Sequence, residues 1–300
     1  MRIAIVGLGR MGADMTRRLL RAGHDVIVTD LDQDRIHELR EEGATGAADL
    51  DAALAAFGGA PRVVWSMVPA GEATETVVSH ALSRLAAGDA IVDGANSHWR
   101  DSRRRAEAAE GAAIGWLDAG VSGGIWGLEH GYNLMVGGNA DVFERLRPVL
   151  ESLAPTGGLR HVGPAGSGHF VKMIHNGIEY GLLQAYAEGF EALAAYPHAR
   201  LDLTAIAELW GNGSVVRSWL LELLAGALRD DPAMAGVRGY VEDSGMGRWT
   251  VAFGVDHAVP LPVITAALFA RFASRQEDGL AAKLVACLRH EFGGHHTPRS

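Results

Sequence analysis

Short apolar runs alternate with segments of helical period through the first half of the chain. The runs predict strands at 2–6, Val26–Thr29, 62–68, 90–94, 114–120, 132–138 and 158–163. The segments between them predict helices at 15–22, Arg35–Glu42, Leu50–Phe57, Thr74–Leu85, Trp99–Ala112 and Asp141–Leu153. Because strands that alternate with helices form parallel sheets, this pattern predicts an α/β fold with a Rossmann-type, doubly wound, mainly parallel sheet. Ligands of such sheets bind beyond the C-terminal strand ends, which are here 68–71, 93–97 and 118–124.

The pattern changes after Gly163, where convincing strands become scarce. Helical period covers residues 166–195, Leu201–Trp210, Ser214–Leu228 and Leu261–Leu288. We therefore predict two domains, a dinucleotide-binding Rossmann domain over 1–164 and an all-helical C-terminal domain over 165–300.

Charge and cysteine content narrow the class of protein. The chain has 27 basic and 36 acidic residues, a net charge of -9, which does not favour nucleic acid or an anionic membrane as partner. Cys287 is the only cysteine, so no disulfide can form within the chain and a reducing compartment, the cytoplasm, is expected. A strand pattern that begins at Arg2 leaves no room for a signal peptide, and no apolar run is long enough to span a membrane.

A glycine motif follows the first predicted strand. Gly7, Gly9 and Gly12 have G-x-G-x-x-G spacing between a strand and a helix, and Asp30 ends the second strand. Gly7 permits the turn, Gly9 lets a pyrophosphate approach the backbone, and Gly12 allows close packing of helix on strand. This arrangement predicts dinucleotide binding.

The segment 168–180 holds the strongest candidates for proton transfer. Taken as helix, it places four polar side chains within an arc of roughly 100°, namely Lys172, His175, Asn176 and Glu179. The side chains expected to bury the helix lie mostly off that arc: Phe170, Val171, Ile174 and Ile178. A solvated helix face would show similar spacing, but Gly177 is a poor choice for an exposed helix interior.

Several longer strings resemble one enzyme family. They are GLGRMG (7–12), DGANSHWRDS (93–102), DAGVSGGIWGLEHGYNLMVGG (118–138), GHFVKMIHNGIEYGLLQAYAEG (168–189), DSGMGRWT (243–250), LFARFASR (268–275) and RHEFGGH (289–295). Together they resemble the decarboxylating 6-phosphogluconate dehydrogenases of the β-hydroxyacid dehydrogenase superfamily, particularly their short form. HFVKMIHNGIEY is the most specific of these strings.

The resemblance implies oxidative decarboxylation of 6-phosphogluconate to ribulose 5-phosphate and CO2, in the pentose phosphate pathway or in gluconate utilisation. It implies no metal, Lys172 as general base and Glu179 as the acid that protonates C1 of the enediol. The implied substrate contacts are Asn96, Ser122, Gly123, Gly124, His175, Asn176, Tyr180 and Arg271. The implied cofactor contacts are Gly7, Gly9, Arg10, Met11, Gly12, Asp30, Val68, Ala70 and Asn96. Arg289 and His295 match a tail that in this family reaches the neighbouring subunit's substrate, which implies a homodimer or homotetramer.

The chain departs from the longer members of that family in two places. The segment Asp243–Thr250 is shortened and carries only Arg248 as a cation, which puts one substrate contact in doubt. Asp30, Leu31 and Asp32 stand where longer members have an Asn-Arg-Thr-like sequence, so NAD is expected rather than NADP.

Two other functions stay open at this point. A dehydrogenase of another β-hydroxyacid, such as 3-hydroxyisobutyrate or tartronate semialdehyde, would have no use for Arg271, Arg289 and His295 together. A non-catalytic dinucleotide sensor would not need both Lys172 and Glu179.

Overall fold

A computed structural model describes residues 1–59 and 61–296. The chain divides into two compact units, one over Met1–His175 and the other from Asn176 onward. The division lies inside a 28-residue helix, Ser167–Ala194.

The first unit is built on an eight-stranded sheet. Its strands are β1 (Arg2–Val6), β2 (Asp25–Thr29), β3 (Thr45–Gly46), β4 (Val63–Ser66), β5 (Ala90–Asp93), β6 (Gly115–Ser122), β7 (Asn133–Gly138) and β8 (Leu159–Gly163). They lie in the order β3-β2-β1-β4-β5-β6-β7-β8. Every pair of neighbours is parallel except β6 and β7, which are antiparallel. The mainly parallel, doubly wound sheet is thus confirmed.

Helices cover both faces of this sheet. They are α1 (Arg10–Arg21), α2 (Gln33–Glu41), α3 (Leu50–Ala55), α4 (Glu72–Arg84), α5 (Trp99–Gly111), α6 (Gly127–His130) and α7 (Ala140–Leu153). Successive β1 side chains enter different core layers, because strand side chains alternate between the two faces. Ile3 and Ile5 join one apolar cluster, whereas Ala4 packs with Ile27 and Phe57 in another.

The second unit is helical, and its described residues contain no strand. Its helices are the C-terminal part of α8 (Ser167–Ala194), then α9 (Leu203–Gly211), α10 (Trp219–Asp230), α11 (Met246–Asp256), α12 (Pro262–Ala273) and α13 (Leu280–Gly293). Two small apolar clusters hold it together. One is centred on Phe190 and Leu221, and the other on Tyr180 and Leu268.

Two helical predictions in this unit are corrected, and one helix is added. The stretch Leu261–Leu288 is two helices, because α12 ends at Ala273 and a turn precedes α13. Helix α11, Met246–Asp256, lies in a segment to which the sequence pattern had assigned no element. Helix α10 begins at Trp219 rather than near Ser214, because the Ser218 side chain accepts a hydrogen bond from the Leu221 amide and caps the helix there. Among the described helices, none has the length and apolar character needed to cross a bilayer.

Candidate active site

The three motif glycines have the local geometry that a dinucleotide turn needs. Gly7 has φ of 96°, and a Cβ on it would lie 2.9 Å from backbone atoms of Met67 and Val68. A Cβ on Gly12 would lie within 3.0 Å of the Gly7 carbonyl oxygen, so α1 could not pack this close to β1 with any larger residue. A Cβ on Gly9 would have no other described atom within 4 Å, so the space above this residue is open.

A cavity of about 1010 Å³ lies beside this turn in the first unit. Its wall includes all nine residues implied as cofactor contacts: Gly7, Gly9, Arg10, Met11, Gly12, Asp30, Val68, Ala70 and Asn96. The N-terminus of α1, where unpaired backbone N–H groups favour an anion, opens onto the same space. Its size and donors fit a nicotinamide dinucleotide, and the open space at Gly9 is where a pyrophosphate could approach the backbone.

The end of β2 presents a carboxylate to this cavity. Asp30 accepts hydrogen bonds from the amides of Leu8 and Asp32, the latter at 2.9 Å. A carboxylate has about four acceptor positions, so these two bonds leave room for ribose hydroxyls. Leu31 is fully exposed, and Arg35 pairs with Asp32 at 3.1 Å in the first turn of α2.

The loop that carries Asn96 is held by a buried acid that sequence reasoning did not single out. Asp93, at the end of β5, accepts hydrogen bonds from the Ala95 amide at 3.1 Å and the Ser97 hydroxyl at 2.9 Å. It also pairs with the buried Arg105 at 3.1 Å. The sequence did contain a signal for this role, since Asp93 ends an apolar strand. A carboxylate in such a place is seldom fully buried without partners, so partners could have been expected.

A tyrosine supports the glycine loop that follows β6. Gly123 and Gly124 have φ of 153° and 52°, and a Cβ on Gly123 would lie 2.9 Å from the Tyr132 ring. Gly127 packs still closer on that ring. Burial raises the pKa of Tyr132 to about 12, so its hydroxyl stays neutral. Only the fold brings Tyr132 beneath the loop, and its position in the sequence gives no signal of this.

Helix α8 buries its lysine and exposes two of the apolar side chains that were predicted to bury it. Lys172 is 6 % exposed, whereas Val171 is 36 % and Ile178 is 52 % exposed. The prediction that Val171 and Ile178 would bury the helix is therefore wrong for the single chain. The reason lies on β6, where the missing side chain of Gly120 makes room for Lys172.

The remaining polar candidates of this helix are less buried than the lysine. His175, Asn176 and Glu179 are all half-buried. Helix α8 carries both Lys172 and Glu179, seven residues or about two turns apart along the chain.

Within the second unit, Arg271 lies flat on an aromatic ring. Its guanidinium carbon is 3.6 Å from the centre of the Tyr180 ring, and its Nη1 donates to the Glu242 carbonyl oxygen at 2.9 Å. The Tyr180 hydroxyl accepts a hydrogen bond from the Ser244 amide at 3.2 Å. Stacking and hydrogen bonding therefore fix the orientation of this guanidinium.

The shortened segment after Asp243 is organised by that carboxylate. Asp243 accepts from Arg248 Nε at 2.8 Å and from Arg275 Nη2 at 2.8 Å. The hydrogen bonds from Arg248, followed by those from Arg275, hold the pKa of Asp243 well below its usual range, so it stays ionised. Two arginines thus share the Asp243 carboxylate, and Arg271 is bonded to the carbonyl oxygen of the preceding residue, Glu242; we call Arg248, Arg271 and Arg275 the arginine cluster.

The structure places Arg289 and His295 at the exposed end of α13. The His295 amide donates to the Arg289 carbonyl oxygen at 3.5 Å, and both side chains face solvent. Every residue of α13 is exposed except Ala286, which is half-buried. Across residues 1–59 and 61–296, no three His, Cys, Asp or Glu side chains gather where they could hold a metal ion.

Comparison with known proteins gives the same family over both parts of the chain. Residues 2–163 match the NAD binding domain of 6-phosphogluconate dehydrogenase, and residues 168–291 match the 6-phosphogluconate dehydrogenase C-terminal domain. An NAD(+)-dependent, decarboxylating 6-phosphogluconate dehydrogenase of Haloferax volcanii is 43% identical over 302 residues, covering 100% of this chain and 99% of that protein.

Solved structures agree on the fold. A Plasmodium falciparum 6-phosphogluconate dehydrogenase superposes with a TM-score of 0.84 at 26% identity, over 100% of this chain and 66% of the longer one. A 3-hydroxyisobutyrate dehydrogenase of Mycobacterium tuberculosis superposes with a TM-score of 0.72 at 26% identity. The match covers 96% of this chain and 99% of that protein. With both domain models and a full-length relative in agreement, the chain belongs to the 6-phosphogluconate dehydrogenase family.

Proposed function

We propose that this protein oxidises and decarboxylates 6-phospho-D-gluconate to D-ribulose 5-phosphate and CO2, using NAD. The observation that carries the choice of substrate is the Arg271 guanidinium, which is held on the Tyr180 ring beside Arg248 and Arg275. A planar guanidinium in a fixed orientation suits a phosphate, and two further arginines in the same cluster favour an anionic ligand. The substrates of the 3-hydroxyisobutyrate and tartronate semialdehyde enzymes carry no phosphate for such a cluster to bind.

The residues of α8 supply the proton chemistry. When held in the cavity beside Gly7, Gly9 and Gly12, a nicotinamide dinucleotide would supply the acceptor for the hydride from C3 of the substrate. Lys172 takes the proton from the C3 hydroxyl, and the resulting β-keto acid can then lose CO2. The protonated Lys172 polarises the C3 keto oxygen during that loss, so no metal is required. Glu179 then gives a proton to C1 of the enediol. His175, Asn176, Ser122, Gly123, Gly124 and Asn96 hold the substrate between these groups.

Absorbance of the reduced nicotinamide tests this function directly. Purified protein with NAD and 6-phosphogluconate should reduce the cofactor and release CO2 in equal amounts, because each turnover yields one of each. Gluconate and 3-hydroxyisobutyrate are the matched controls, since both lack the phosphate. Preference for 3-hydroxyisobutyrate would assign the chain to the other β-hydroxyacid dehydrogenases, and no turnover of any substrate would favour a sensor.

We expect NAD to be preferred over NADP by roughly 30- to 1,000-fold in kcat/KM, because an unpaired charge repulsion costs ~2–4 kcal/mol. Asp30 at the end of β2 repels a 2′-phosphate, and Arg35 is already paired with Asp32. Steady-state kinetics with both cofactors on wild type, Leu31→Arg and Asp30→Asn/Leu31→Arg would measure this. The exposed Leu31 can become arginine without disturbing the core. The double variant should gain NADP activity and also lose some NAD activity, because Asp30 holds the Leu8 amide.

If the wild type used NADP as well as NAD, the prediction that Asp30 repels the 2′-phosphate would be wrong. Use of NADP by Leu31→Arg alone would show that the missing cation, rather than the carboxylate, sets the preference.

We further propose that the active unit is at least a homodimer in which α13 contacts the neighbouring subunit. The helix exposes an apolar stripe at helical spacing, made of Leu280, Leu284, Val285, Leu288 and Phe292. A stripe of this kind on a helix with so little burial of its own is typical of an interface. Arg289 and His295 lie beside it, where they could complete the substrate site of the partner. We also predict that the protein is cytoplasmic and that it acts in the pentose phosphate pathway.

Mixing two inactive variants tests the shared site. Arg289→Ala and Lys172→Met proteins, each inactive or nearly so, should regain activity after subunit exchange. In each hybrid, one site combines Lys172 of the Arg289→Ala chain with Arg289 of the Lys172→Met chain. Exchange is verified separately by purifying hybrids through two different tags. Proven hybrids without recovered activity would mean that each site is built from one chain.

A further inference from the structure

The first turn of α8 is capped by a side chain from the sheet rather than by its own residues. The first amides of a helix lack intrahelical partners, and a side chain at the N-cap usually accepts from one of them. Gly166 stands before this helix and has no side chain to do so. Instead Asp118 of β6, which is 0 % exposed, accepts from the Gly166 amide at 2.6 Å and from the His169 amide at 2.9 Å.

Glycines allow the capped turn to lie directly on the sheet. A Cβ on Gly168 would meet the Met135 carbonyl oxygen at 2.5 Å and the Gly137 amide at 2.7 Å. A Cβ on Gly120 would meet the Lys172 Cβ at 2.5 Å. Real Cβ atoms do not come this near to backbone, so the height of the turn above β6 and β7 is fixed by these contacts.

Lys172 follows this anchored turn by three residues. The side chain of His169, within the anchored turn, is held as well, since its Nδ1 lies 2.7 Å from the Ser102 hydroxyl. Because an α-helix is rigid over one turn, the position of the Lys172 amine depends on where Asp118 holds the helix start. Misplacement of a reacting group by 1 Å can cost about 10²-fold in rate.

We infer that Asp118 is a positioning residue for Lys172: its carboxylate sets the place of the base by holding the Gly166 and His169 amides. The inference rests on the proposed role of Lys172 as the base. It assigns Asp118 no contact with substrate.

Replacing Asp118 by asparagine tests the inference, because an amide has one acceptor oxygen where the carboxylate has two. One of the two helix amides would then face an N–H donor. We expect Asp118→Asn to lower kcat and kcat/KM for 6-phosphogluconate together by about 10²-fold. The NAD dissociation constant should stay near that of wild type, since the cavity residues lie on other elements. Activity is expressed per NAD-binding site, so that loss of folded protein does not count as loss of rate.

Asp89→Asn is the matched control. Asp89 is also a buried carboxylate of this sheet, and it accepts from the Arg62 amide at 2.7 Å and the Ala86 amide at 2.9 Å. It precedes β5, at the end of the sheet away from the proposed site. Both variants should lower the melting temperature, but Asp89→Asn should keep the wild-type kcat per NAD-binding site.

Gly120→Ala gives a second measurement in which the Asp118 carboxylate is retained. Its methyl group would press on Lys172 and on the Gly168 carbonyl oxygen, so kcat per NAD-binding site should fall here too, with NAD binding retained. Wild-type kcat in Asp118→Asn would overturn the inference whatever Gly120→Ala shows, as would an equal loss in Asp89→Asn. A wild-type enzyme without activity, or an active Lys172→Met, would instead refute the proposed function.

Discussion

Lys172→Met should lower turnover of 6-phosphogluconate by about 10⁴-fold or more, the upper end of what a positioned acid or base contributes. The loss is expected to be this large because one amine serves two steps, removal of the hydroxyl proton and polarisation of the keto oxygen. Methionine nearly matches lysine in length, so it should fill the space beside Gly120 without charge. NAD binding, measured by titration, should be nearly unchanged.

Lys283→Met is the control, because the chain has only these two lysines. Lys283 pairs with Asp278 at 2.5 Å and is not one of the proposed catalytic residues, so its replacement should cause no loss of turnover comparable to that of Lys172→Met. Near-normal turnover in Lys172→Met would show that Lys172 is not the base, whatever the turnover of Lys283→Met.

Glu179→Gln should slow steady-state turnover by ~10²–10⁴, the usual contribution of a positioned acid. Glu179 acts after hydride transfer in the proposed sequence, so its loss should leave the first reduction of NAD fast. Rapid mixing should therefore show a burst of reduced cofactor of up to one per site, followed by a slow phase. Lys172→Met should show no burst, since the base is needed before the hydride leaves.

Glu188→Gln is the control on the same helix. Glu188 is exposed and accepts from Gln184 at 2.8 Å, so its neutralisation should affect neither phase. A slow first reduction in Glu179→Gln would place Glu179 before hydride transfer and contradict its assignment as the final acid.

The sequence predicted the first unit well because its signals are local. Strand, glycine turn and helix follow within 21 residues, and the turn needs glycine at Gly7 and Gly12 for steric reasons that hold in any such fold. Strand β3 escaped prediction because two residues, Thr45–Gly46, are too few to show a period.

The second unit was harder to predict for a physical reason. Helix α11 contains Gly247, whose missing side chain makes room for the Tyr180 ring, so a residue that disfavours helix locally is required by packing. The break between α12 and α13 is a turn in which Asp278 has φ of 55° and Gly279 stands just before α13. Apolar periodicity alone does not show this turn. In α11 a long-range contact thus outweighed local preference, whereas the break before α13 is a local turn that the apolar period concealed.

The sequence by itself determined the class of fold, the dinucleotide turn and the family, because each depends on residue types at fixed spacings along the chain. The tertiary structure alone decided that Lys172 is buried while Ile178 is exposed, since Gly120 and the capping carboxylate of Asp118 come from a strand about 50 residues earlier in the chain. It also decided that Arg271 stacks on Tyr180. Such contacts join residues far apart in sequence, and their geometry depends on the packed chain rather than on any local pattern.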